Sequence, residues 1–119
     1  MFPWLFPLFW VLLIFLGSSI PGGSIPAPVS VASQVLHACE YAVLAYLIAR
    51  AFSQTKKEPK HSFSAIIILA FSISVLYGAT DELHQLYVPG RHPDSMDVFV
   101  DALGSGIGVF VWYRLKRGI

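Results

Sequence analysis

The stretch FSAIIILAFSISVLYGAT, Phe63 to Thr80, contains no charged side chain. Wound into a helix at about 1.5 Å per residue, it comes close to the roughly 30 Å thickness of a bilayer's hydrocarbon core. Directly behind it stands DELHQLYVPGR, Asp81 to Arg91, which crowds two carboxylates, a histidine, a glutamine and an arginine together. A helix that belongs in lipid and ends in concentrated polar chemistry is the first expectation.

Outward from this segment the pattern repeats. Three more apolar stretches flank it, so helices are expected at about 2–20, 31–52, 63–86 and 97–113. Hydrophobic residues make up 55% of the 119 and charged residues 13%, about half of the roughly 25% usual in soluble domains. A soluble chain this short has too much surface to hide so much apolar side chain. The expected fold is all-α: a polytopic membrane protein with a compact four-transmembrane-helix bundle, a single domain over residues 1–119. Pro3 falls in the first turn of the first segment, and Pro7 should kink it. SSIPGGSIPAPVS, Ser18 to Ser30, is a loop that cannot continue a helix, and FSQTKKEPKH, Phe52 to His61, is a polar connection. No Lys or Arg precedes the first apolar run, which argues against a cleaved signal peptide. The single cysteine, Cys39, sits in an apolar run and excludes an internal disulfide.

Orientation follows from the basic residues. Arg50, Lys56, Lys57 and Lys60 flank the connection between the second and third segments; Arg114, Lys116 and Arg117 follow the fourth. With four crossings these share one side, expected to be cytoplasmic together with both termini. Only Arg91 departs. The acids behave oppositely: Glu40, Asp81, Glu82, Asp94, Asp97 and Asp101 fall on the outer half with His37, His84 and His92, whereas Glu58 lies in the basic connection. The polar chemistry is therefore expected at the extracytoplasmic boundary.

Spacing sorts these groups onto faces. His37 and Glu40 are three apart on one helical face, and a carboxylate there must face protein or water. They can be structural glue or functional groups. Asp81, His84 and Gln85 share a face if the third helix continues past Thr80, with Glu82 turned about 100° from Asp81. Asp94 or Ser95 can cap the fourth helix. Asp97 and Asp101 lie one turn apart, and Gly104, Ser105 and Gly108 offer a small-residue surface for close helix packing or for a homodimer. Several carboxylates in a partly desolvated hollow repel, so some stay protonated or a cation binds. An oxygen-rich set favours Mg²⁺, Ca²⁺ or Mn²⁺; zinc through His37 and His84 matches no strong spacing signature. Arg91 suits a phosphate or carboxylate, or a structural bridge to Asp94 or Asp97.

The pattern His37-x-x-Glu40-Tyr41, then Asp81-Glu82-x-His84-Gln85, Val88-Pro89-Gly90-Arg91, Asp97 and Gly104 resembles the VanZ-like family. That family is named for a protein associated with resistance to the lipoglycopeptide teicoplanin. The resemblance covers Val35 to Gly108. One departure is Asp101, where members commonly carry Asn; the extra acid puts the site's net charge in question. The resemblance implies a bacterial envelope protein and, through more distant similarity, a relation to membrane enzymes that act on phosphate linkages at lipid headgroups.

Residues and resemblance together lead to an expected hydrolase or transferase acting on a phosphate-containing lipid headgroup or a lipid-linked cell-wall precursor. His37, Glu40, Asp81 and His84 are the expected catalytic groups. Arg91, Gln85 and Tyr41 are the expected substrate contacts, and Glu82, Asp97 and Asp101 the ligands of a divalent cation. Membrane lipids or lipid-linked intermediates, not nucleic acid, are the expected partners. The alternative is a membrane protein that binds a lipid or lipoglycopeptide without catalysis. Ion transport is disfavoured, because no acid or base between Phe63 and Thr80 continues a relay across the membrane.

Overall fold

The computed structural model describes residues 2–20, 30–55, 63–90 and 95–118, with the side chains of α2 described from Gln34 onward. All regular structure among them is helical: α1 (Leu5–Ser18), α2 (Ser30–Thr55), α3 (Phe63–Gln85) and α4 (Ser95–Lys116). Gln34–Thr55 of α2, the whole of α3 and the whole of α4 are long and apolar enough to cross a bilayer. α3 does continue through Asp81, Glu82 and His84 before it ends. Leu86, Tyr87 and Val88 then close tight turns onto Leu83, His84 and Gln85, and Gly90 takes a positive φ of 77°.

Of the four helices expected to span, three have the length and α1 is a shorter apolar helix. That helix has 14 residues, about 21 Å of rise against the roughly 30 Å of a hydrocarbon core. It is shorter than the apolar stretch because it begins only at Leu5, after Pro3 and the capping Trp4, and stops at Ser18. Pro7 consequently falls in its first turn, where backbone N–H groups have no helical acceptor and a missing one costs nothing. The expected kink therefore has no cause.

Contacts at the helix ends fix the antiparallel order. Trp4, ahead of α1, donates its indole N–H to Thr55 Oγ1 at the end of α2 (3.0 Å). The far end of α1 meets the end of α3, where Ser19 Oγ and His84 Nε2 share a 2.9 Å hydrogen bond. Phe63, opening α3, packs on Trp112 and Tyr113 near the end of α4. One end of the bundle thus gathers the starts of α2 and α4 with the ends of α1 and α3. The opposite end gathers Arg50, Arg114, Lys116 and Arg117. Lys56, Lys57, Glu58, Lys60, Arg91, His92 and Asp94 lie outside the described residues.

The seam between α2 and α4 sets the register of the whole assembly. A Cβ on Gly104 would strike the Ala38 carbonyl, and one on Gly108 the Ala42 carbonyl. Only glycine permits this approach, and in lipid such close packing holds helices together in place of a hydrophobic driving force. Small residues also mark the buried line of α3, which runs Ala70, Ser74, Gly78 and then Asp81. Beneath the acidic end, Tyr41, Leu44, Ala45, Ile48 and Ala49 of α2 pack with Ile66, Val109, Trp112 and Ile14 of the other helices.

Candidate functional site

At the acidic end Asp101 stands at the centre of three helices. Gly104 follows it by three residues on α4, so the close α2–α4 seam draws the carboxylate against the first half of α2. There Asp101 Oδ1 lies 3.2 Å from His37 Nδ1. The other oxygen, Oδ2, rests on α3 at Gly78, where an added Cβ would sit only 2.8 Å from it. Glycine at 78 is what lets the carboxylate fit. The aspartate is 1% exposed and the side chain of His37 16% exposed. A buried carboxylate therefore holds one nitrogen of an imidazole that is itself still reachable.

The surrounding acids point their charge at this pair. Glu40 and Asp97 lie within electrostatic range of His37, and Asp81 and Asp97 within range of Asp101. Asp81 and Glu82 are buried at the end of α3, while Asp97 occupies the first turn of α4, where a negative charge also suits the helix dipole. Glu40 is partly exposed, and its main-chain carbonyl accepts the indole N–H of Trp10 from α1 at 2.9 Å. Tyr41 is wholly buried, with its ring 6.3 Å from that of Tyr77. Its hydroxyl has no hydrogen-bond partner among the described residues.

Two expected site residues turn toward α1. His84 stacks on Phe15, with ring centroids 4.7 Å apart, in addition to its hydrogen bond with Ser19. The Gln85 amide donates to Ser18 Oγ at 3.2 Å. In these positions they tie the end of α3 to the end of α1. Arg91 lies outside the described residues, so its expected grip on an anion has no geometry here.

Among the described residues, no three His, Cys, Asp or Glu side chains converge closely enough to hold a metal ion. The donors near Asp101 are one imidazole and acids on three helices. What the pair offers is proton transfer. With Asp101 ionised and His37 neutral, the carboxylate can only accept, which sets the ring hydrogen on Nδ1 and makes Nε2 the proton acceptor; with His37 protonated, Nε2 is a donor.

Sequence reasoning missed the layer beneath the pair. Ser74 Oγ and Ser105 Oγ share a 2.7 Å hydrogen bond between α3 and α4, fully buried. Tyr77 donates its hydroxyl hydrogen to the Val11 carbonyl of α1 at 3.0 Å. The available signal was the four-residue step Ala70, Ser74, Gly78, a run of small residues inside an otherwise bulky helix.

No curated protein and no solved structure matches the chain. The model of the VanZ/LLP1 family matches residues 2–116, nearly its full length. The match takes in the His37 segment, the end of α3 and Asp101 alike, and the chain belongs to the VanZ/LLP1 family.

Proposed function

We propose that this protein acts on the phosphate-bearing headgroup of a membrane lipid or lipid-linked precursor, with His37 as the group that moves the proton. The observation carrying this reading is the His37–Asp101 pair, which joins a buried carboxylate to an accessible imidazole at a bundle end. A carboxylate that orients an imidazole is the arrangement that makes histidine an effective general base. His37 takes a proton from water or an alcohol as that oxygen bonds to phosphorus. The proton passes to the departing headgroup oxygen as its bond to phosphorus breaks. The location agrees with such a substrate, since a headgroup can enter at the end of the bundle while its acyl chains stay in lipid. Membership of the family carries the association with teicoplanin resistance, which a susceptibility assay on cells expressing the protein reads directly.

The test is release of headgroup from labelled phospholipids and undecaprenyl-linked phosphates by the purified chain in liposomes, with and without Mg²⁺, Ca²⁺ or Mn²⁺. Release by the wild type, lowered about 100-fold or more in His37→Gln, is the expected result for a lost general base. Saturable headgroup binding with no release in any arm would replace catalysis by the binding reading.

A further inference from the structure

Away from the acidic end, two hollows lie along the α2–α4 groove and share Tyr46 and Leu115 in their walls. The larger, about 330 Å³, runs between Ala42 and Val43 of α2 and Ile107, Gly108 and Val111 of α4, and its walls present only apolar surface. The smaller, about 170 Å³, continues toward the basic end and adds Arg50, Ser53, Gln54 and Lys116. From Ala42 to Arg50 the path covers about 12 Å along α2. An apolar slot thus opens into a cationic mouth.

We propose that this groove binds one anionic phospholipid, with an acyl chain along Val43 and Ile107 and the phosphate between Arg50 and Lys116. The charges support the choice. Arg114 lies over the Phe110 ring and Arg117 over Tyr113, whereas Arg50 and Lys116 line the hollow. Among the described residues no carboxylate pairs with either of these cations. Basic pockets between membrane helices suit anionic headgroups, and Tyr46 and Leu115 join the apolar slot to the mouth. A second copy of the chain fits less well. The glycines that would allow a tight helix contact are already used against Ala38 and Ala42. A two-fold parallel dimer across this face would also set one basic mouth against its equal. The site is separate from the His37–Asp101 pair and does not depend on its chemistry.

The experiment compares phosphatidylglycerol and phosphatidylcholine retained by the detergent-purified full chain, counted by native mass spectrometry. Wild type should retain phosphatidylglycerol about tenfold better, as expected for two basic residues facing one anionic headgroup. Arg50→Gln with Lys116→Gln should bring the two lipids to parity, and Val43→Trp with Ile107→Trp should lower retention of both. His37→Gln should change neither. Equal retention of the two lipids by the wild type overturns the proposal without recourse to any variant. So does selectivity lost in His37→Gln, which would put the lipid at the acidic end. A dimer that Val43→Trp with Ile107→Trp breaks, while lipid retention stays as in wild type, would assign the groove to a second copy instead.

Discussion

The two ends of the bundle handle charge by opposite means. At the basic end Arg114, Lys116 and Arg117 are exposed, and long aliphatic stems carry their heads to water or over aromatic faces. Nothing in the helix packing has to accommodate them. At the acidic end Asp81, Glu82 and Asp101 are buried. An aspartate side chain is too short to reach water from a packed helix, so its neighbours must be shaped around it. Gly78 makes the space, His37 supplies the hydrogen bond, and the glycine seam sets the depth. Buried acids therefore need helix packing shaped around them, while exposed bases follow wherever the helices go.

This contrast can be tested from its strongest consequence downward. Gly104→Leu or Gly108→Leu drives a side chain into a backbone carbonyl of α2. Overpacking costs about 1–3 kcal/mol where side chains can shift, and more here because backbone cannot yield. Loss of a monodisperse folded species in detergent is the expected readout. Asp101→Leu strips His37 of its partner and should cost about 1–3 kcal/mol in unfolding measurements. Asp101→Asn keeps an acceptor for Nδ1–H and should cost clearly less. Ser74→Ala removes one buried hydrogen bond between α3 and α4, a loss of about 0.6 kcal/mol and at most about 1.7. At the basic end Arg114→Gln should move stability by less than about 0.5 kcal/mol. A large loss there, equal to that of Asp101→Leu, would erase the distinction between the ends.

Much of the fold was legible because bilayer thickness is a simple ruler. An uncharged run such as Phe63–Thr80 reads directly as a helix apolar enough to cross a bilayer, and the separation of acids from bases was visible by counting. The length of α1 was harder to read. Its apolar stretch is long enough, but the prolines and Trp4 delay its start and Ser18 ends it, so hydropathy alone overstated it. The candidate site was legible as a set of residues but not as a set of partners. Which acid meets His37 depends on helix register, and although Gly104 and Gly108 were visible as a packing surface, their meeting with the Ala38 and Ala42 carbonyls was not. Nor did spacing reveal that His84 and Gln85 turn to α1: sharing a helical face with Asp81 does not mean sharing its neighbours. In a lipid-facing bundle the buried faces are marked by glycine, serine and alanine, and apolar periodicity is nearly silent.

The most direct measurement is a double-mutant cycle on unfolding free energy with His37→Ala, Asp101→Ala and the pair. If the two side chains meet across the seam, the single losses should overlap, giving a coupling of at least about 0.5 kcal/mol. Strictly additive losses, with both single variants folded, would mean that α2 and α4 do not bring this imidazole to this carboxylate, and the account of the acidic end would be wrong.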